Sequence, residues 1–331
     1  RKILRRESFL NLSWNSYLMS KLTILFTLSA VQTLTFALVG NLILEIEWSM
    51  LLPFWFVLFT TSCFASVLGL NISSAFNSAV TVYVMIPLLL IPQMILSGLL
   101  FRFDKLNDII STKGKVPIVA DLMASRWAYE AIVVDQFRNN TYEKPYYDLE
   151  KIESQADFRS SFLVNELTKK RKFISDNIDT KNDSLKAILA KDLNIIQSVI
   201  QNDYFKKGLE KDLERDWTLA DFTPEFSKKL EDFFAAYKKF YQDAYNKAVA
   251  AREAVIYKYE NEEGGQYKLN EYKNKYYNES LADLAQNVSE KDRIVEYNGQ
   301  LIQQINPVFL DPKPKGPLDY RAHFFAPQKN L

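Results

Sequence analysis

Residues Leu22–Leu44 read LTILFTLSAVQTLTFALVGNLIL, 23 residues without one charge. At about 1.5 Å of rise per residue, a helix of that length crosses a hydrocarbon core of about 30 Å. The flanks decide between a membrane span and a helix buried in a soluble core. From Leu22 to Phe101 only Glu45 and Glu47 are charged, and both fall in one short gap, EIEW. After it comes a second apolar run, Leu51–Leu70. The polar stretch NISSAFNSA then leads into a third, Ala79–Phe101. Three such runs in close succession indicate membrane helices rather than a buried hairpin. A signal peptide is excluded, because the first run is too long, lacks a small-residue cleavage site and is followed by two more.

Whole-chain averages hide this pattern. The 331 residues carry 41 Lys and Arg against 40 Asp and Glu, a net charge of +1, and 48% are hydrophobic, which suits one or two soluble domains. Most of those charges lie beyond residue 101. The chain is therefore an apolar block joined to a highly charged one. The leader RKILRRESFLNLSWNSYLMSK holds Arg1, Lys2, Arg5, Arg6 and Lys21 against Glu7 alone, so it is expected on the cytoplasmic side. Three crossings then put residues 102–331 outside the cytoplasm. The chain starts without Met on a basic stretch and ends in PKGPLDYRAHFFAPQKNL, which reads as an internal fragment of a longer protein.

Beyond the apolar block, Val116–Phe137 (VPIVADLMASRWAYEAIVVDQF) is expected to form one amphipathic helix. Pro117 suits its first turn, and Met123, Trp127, Ala131 and Val134 recur at helical spacing. Such a helix can lie at or dip into the outer leaflet, or it can pack on the soluble domain. Residues 145–306 read as helices. Leu185, Ile188, Leu189, Ile195, Ile196, Val199 and Ile200 make one apolar face. Thr223-Pro224-Glu225 is a strong helix start, and the helix it opens should run about ten turns to the stop at Glu263-Gly264-Gly265. Its stripe, including Phe226, Leu230, Phe233, Phe234, Tyr237, Tyr241 and Tyr245, reads as a packing seam rather than a ligand box. A last helix is expected from about Ser289, with Asp292 three residues on, to just before Pro307.

Catalytic chemistry finds no residues. The single His323 cannot build a multi-histidine metal site, and the single Cys63 lies in an apolar run. Glu262-Glu263 reads as solvated charge at a helix end, and Gly264-Gly265 lacks the Lys-Ser/Thr of a phosphate loop. Balanced charge across the external block argues against nucleic acid as a partner. Asn139, Asn182, Asn278 and Asn287 head Asn-X-Ser/Thr triplets, which also arise by chance. Transport, signalling and anchoring remain. In the third run, Pro87 and Pro92 each remove a backbone hydrogen bond and let a helix bend, and Ser97-Gly98 permits close approach of a partner helix.

Three ordered stretches resemble the ABC-2-type permeases of the G subfamily, the white/pleiotropic-drug-resistance kind. In the leader, Arg6-Glu7, then Tyr17, then Leu18-Met19-Ser20-Lys21 match the approach to that family's third span. LSGLLFRFDKL is similar to its Ser-Gly-Leu-Leu at the outer end of the fifth span. MASRWAYEAIVVDQF is similar to its Pro-X-Arg-Tyr-X-X-Glu-Ala helix, with Ser125 where Pro is frequent, Trp127 for Tyr and Gln136 for Glu. The large helical insert resembles that of Bacteroidetes members.

The resemblance implies an all-α polytopic fold. Residues 1–21 would be a cytoplasmic coupling segment, with Arg5, Arg6 and Glu7 resting on an ATPase domain. Residues 22–44, 51–70 and 79–101 would be spans three to five of six within a transmembrane region 22–101. Residues 102–144 would hold a re-entrant helix carrying Arg126, Trp127 and Glu130. Residues 145–331 would be an extracytoplasmic helical domain with a Pro-rich return strap, and a sixth span would follow. Leu99 and Leu100 would form a plug beside Ser97 and Gly98, and Leu90, Ile91 and Met94 would line the substrate cavity. The implied partners are an ABC ATPase domain, a second permease half and the bilayer of a bacterial inner membrane. ATP and Mg would belong to that ATPase domain, and this chain would hold no cofactor. The implied activity is ATP-driven export of a lipophilic substrate by alternating access. The alternative is a membrane sensor or scaffold with a partner-binding external domain.

Overall fold

The computed structural model describes residues 13–76, 78–100, 103, 106–107, 116–262 and 265–310. Arg5, Arg6, Glu7, Phe101, Glu263, Gly264, His323 and the Pro-rich strap lie outside the described residues. The chain divides into two compact units, Arg1–Asn140 and Thr141–Leu331.

In the first unit, α1 spans Trp14–Leu44, α2 Leu51–Ala75 and α3 Ala79–Ile95. The first two are long and apolar enough to cross a membrane, whereas α3 is a shorter apolar helix. Helix α1 starts eight residues before the charge-free run, so its first turns carry Lys21, whose ammonium lies over the Tyr17 ring at 5.4 Å. It ends where Glu45 turns left-handed, at φ 52°. A 3-10 turn, Trp48–Met50, then feeds α2. Between α1 and α2 the glue is small and polar. The Ser62 hydroxyl donates to Ser29 Oγ at 2.9 Å, and Trp55 Nε1 donates to the Ala30 carbonyl at 3.1 Å. Lipid tails are as apolar as leucine, so close packing and interhelical hydrogen bonds, rather than water exclusion, hold such a pair together.

Three expectations are corrected here. The third apolar run is not helical to Phe101: α3 stops at Ile95, 17 residues in all, close to the minimum for a span. The physical reason lies in Ser97-Gly98, described below. Val116–Phe137 is two helices, α4 (Ile118–Asp121) and α5 (Ala124–Arg138), broken at Leu122-Met123. The buried face of α5 is also not the expected one. Arg126, Glu130, Val133 and Phe137 point inward, while Trp127 and Ala131 are exposed. An ion pair on the inner face makes a hydrophobicity count read that face as solvent.

The second unit is helical apart from one hairpin among its described residues. Helix α6 (Tyr147–Asp157) runs through a π-helical turn, Phe158–Leu163, into α7 (Val164–Asn177). Phe158, Ser160 and Leu163 are buried along this stretch, where the wider π turn departs locally from α-helical spacing. Helix α8 (Asp183–Asn202) begins at Asn182, whose side chain accepts from Ser184 N and Leu185 N. Helix α9 (Pro224–Glu262) is 39 residues long, and the Thr223 hydroxyl accepts from Phe226 N at 3.2 Å. Its stripe packs as a seam: Leu230, Phe233, Phe234, Tyr237 and Tyr241 join Leu167, Ile174, Leu189, Leu193, Ile196 and Ile200 in one core. Each fully buried aliphatic side chain there contributes about 1.5–3 kcal/mol over leaving it in water. Ile188, placed on the same face from sequence, is exposed.

Helices α10 (Gln266–Tyr276) and α11 (Glu279–Gln286) follow. The helix expected from Ser289 to Pro307 is instead a hairpin, β1 (Ile294–Tyr297) antiparallel to β2 (Gln300–Gln303), with Tyr297 opposite Gln300. Asn298 and Gly299 both have positive φ, 49° and 72°. That is the backbone of a two-residue turn whose twist matches the strands, and Asn-Gly is its preferred sequence. Glu296 of β1 then anchors the hairpin to the helices. It meets Lys170 Nζ of α7 at 2.6 Å and Lys191 Nζ of α8 at 2.5 Å, and Lys170 also meets Asp192 at 2.6 Å.

Candidate functional site

The residues singled out from the third apolar run gather where α3 ends and α5 begins. Pro87 and Pro92 lie inside α3, so the carbonyls of Tyr83 and Leu88, four residues before each, lose their helical donors. The last amide of the helix, Leu96 N, donates to the Pro92 carbonyl at 2.8 Å. Ser97, buried, then uses its hydroxyl twice, donating to the Met94 carbonyl at 2.8 Å and accepting from Leu99 N at 3.2 Å. This local ring replaces the next helical bonds and ends the helix. Gly98 follows at φ +82°, and a Cβ there would lie 3.4 Å from the Phe103 ring. Gly98 is thus a turn glycine in contact with an aromatic ring of its own chain.

Leu99 and Leu100, just past the turn, are exposed by 63% and 53%. Leu90, Ile91 and Met94 share one face of α3 at spacings of one, three and four residues, and all three are exposed. Helix α3 buries no residue at all within the unit. Five of the expected cavity and plug residues are therefore apolar and exposed, three on α3 and two just past the Ser97-Gly98 turn.

The other half of the site is the start of α5. Ser125 donates its hydroxyl to the Gln93 carbonyl at 2.8 Å. Gln93 lies in the last turn of α3, where carbonyls lack intrahelical partners. Sequence reasoning noted Ser125 only as a departure from a usual Pro, and its role was not legible: Pro carries no donor. Next to it, Arg126 reaches back across the α4–α5 break to Asp121, with 2.9 Å between Nη1 and Oδ1, and forward to Glu130 at 2.8 Å. Its guanidinium also lies over the Trp127 ring at 4.1 Å, and Trp127 Nε1 donates to the Asp121 carbonyl at 2.8 Å. The expected set Arg126, Trp127 and Glu130 is thus one cluster, completed by Asp121. Its chemistry is mechanical: a buried guanidinium between two carboxylates pins α4 to α5, while α5 packs against α2 and α3. Among the described residues, no group of three or more His, Cys, Asp or Glu could hold a metal ion.

Residues 1–137 match the family model described as ABC-2 type transporter. The match covers the first unit, under half of the chain, and makes that unit similar to the ABC-2 permeases, the class that supplies the transmembrane component of ABC transporters. No curated protein and no solved structure matches the chain.

Proposed function

We propose that this chain is the permease part of an ATP-driven exporter that moves a lipophilic substrate by alternating access. The observation that carries the reading is the junction of α3 and α5. An uncovered apolar face made by Leu90, Ile91 and Met94 leads to Leu99 and Leu100 at a turn fixed by Ser97, Gly98 and Phe103. In this reading Leu99 and Leu100 meet their counterparts from a second permease half and close the path. The face below them lines the substrate cavity. Arg5, Arg6 and Glu7 transmit the motion of an ABC ATPase domain, which binds ATP and Mg. Arg126, Trp127 and Glu130 keep the membrane-proximal helix rigid above the cavity. The chain works in a bacterial inner membrane with the second unit on the extracytoplasmic side.

The test uses the full transporter in proteoliposomes, with ATP hydrolysis and efflux of lipophilic fluorescent dyes measured together. Leu99→Ala with Leu100→Ala should leave hydrolysis running and lower the dye moved per ATP by tenfold or more. Unchanged coupling would remove the plug role from these leucines. Absence of any ATP-dependent efflux by the parent protein across the dye panel, with ligand-dependent binding to the second unit, would favour a sensor instead.

A further inference from the structure

In the second unit, the turn that leads into α6 carries a carboxyl group in an unusual place. Glu143 is only 1% exposed. Its backbone carbonyl accepts from Tyr146 N and Tyr147 N, at 2.8 and 2.9 Å, which holds the turn against the start of α6. Glu150 lies in the first turn of α6. The two carboxyl groups are hydrogen-bonded to each other. An ionised carboxylate only accepts, so this bond exists only while one of the pair keeps a proton.

The surroundings can be named element by element. On α6, Glu153 adds a third carboxylate. On α9, Arg252 is the cation facing the pair, and its Nε is already 3.0 Å from Glu153; Tyr259 lies further along that helix. The turn itself supplies Tyr142 and Tyr146. The end of α10 supplies Tyr277, which Asp283 of α11 faces in turn. The Tyr142 ring meets Tyr277 edge-on at 5.3 Å and Tyr146 at 5.5 Å. One arginine thus faces three carboxyl groups under a cover of tyrosines.

We propose that Glu143 and Glu150 form a proton-held latch that fastens the turn at 141–146 and the start of α6 to the second half of α9 and to Tyr277. Closed, the pair retains a proton. Open, both carboxyl groups reach water and release it. Burial first, and then the neighbouring Glu150, push Glu143 from its ordinary 4.5 up to about 9, and burial raises Glu150 too. The sign follows from linkage: a raised acid favours the closed form fully below about pH 4.5, and that advantage is lost as pH rises through about 9. Inside that window, opening releases one proton, so the open fraction grows tenfold for each pH unit. The turn opens the second unit, which begins at Thr141, so the latch makes the packing at the start of that unit respond to pH.

The test is hydrogen–deuterium exchange of the full chain in lipid nanodiscs at pH 6, 7 and 8, corrected for intrinsic exchange chemistry. Peptides covering 141–150 and 270–280 should show opening about 100-fold more frequent at pH 8 than at pH 6. A core peptide of α8 serves as the pH-insensitive reference. Glu143→Gln keeps a donor to Glu150 and cannot titrate, so its opening should be flat with pH. Should that variant misfold, Glu150→Gln, whose amide donates to an ionised Glu143, should flatten the profile in the same way. A pH-independent opening in the parent chain, or a parental slope in a folded Gln variant, overturns the latch.

Discussion

Ser125→Ala is the sharpest probe of the α3–α5 junction. The substitution removes one hydroxyl and leaves the Gln93 carbonyl, 2.8 Å away, without its donor. Pro87 and Pro92 have already taken two hydrogen bonds from α3, so this end of the helix has little backbone bonding to spare. Side-chain hydrogen bonds between membrane helices contribute about 0.6 kcal/mol on average and up to about 1.7 kcal/mol. Opening of the last turn should therefore become about 3-fold to about 18-fold more frequent. The amides to watch are Leu96, bonded to the Pro92 carbonyl, and Leu99, bonded to the Ser97 hydroxyl. Hydrogen exchange in nanodiscs reads both. Ser125→Thr keeps the hydroxyl and should stay near the parental rate. If Ser125→Ala exchanges like the parent, or Ser125→Thr like Ser125→Ala, the hydroxyl does not join the two helices.

Two further outcomes follow from single residues. Asp203 is a buried carboxylate that accepts from Arg159 Nε at 3.0 Å, Tyr237 OH at 2.8 Å, Phe205 N at 3.1 Å and the Tyr241 hydroxyl. Burial would raise its pKa, but Arg159 and these donors win and hold it below the ordinary 3.8. Its stabilisation is present above about pH 3.8 and is lost as pH falls through the lowered value. Asp203→Asn turns an amide toward two donors and should cost about 3–5 kcal/mol at neutral pH. Urea unfolding followed by Trp217, the one tryptophan beyond residue 140, reads it, and a change under about 1 kcal/mol would rule out the carboxylate as the anchor. At Gly98, φ is +82° and the Phe103 ring stands 3.4 Å from an added Cβ. Gly98→Ala should cost about 1–2 kcal/mol from the backbone alone, visible as a lower melting temperature in detergent, and an unchanged melting temperature would mean the turn is not held there.

Much of the fold was legible because long-period signals are robust. Charge-free length identified α1 and α2, and the Thr223-Pro224-Glu225 start and aromatic spacing gave α9 and its buried seam. Short-range signals were outweighed where they were weak or misjudged. Asn298-Gly299 announces a hairpin, yet a capping pattern at Ser289 suggested a helix. Ser97-Gly98 was recognised as a break, but composition does not say that the hydroxyl closes the turn and the glycine turns left-handed.

What the sequence determined by itself is the partition of the chain: apolar runs of membrane length, then a charged helical block, because the cost of placing charge in hydrocarbon is large and sums along a run. What only the tertiary structure decided is which polar groups meet. Arg126 faces inward because Asp121 and Glu130 wait there, Ser125 matters because Gln93 has a spare carbonyl, and in the proposed latch Glu143 holds a proton because it is buried and Glu150 stands beside it. Such pairings depend on a few ångströms across elements distant in sequence or across a helix break, and no periodicity along the chain encodes that distance.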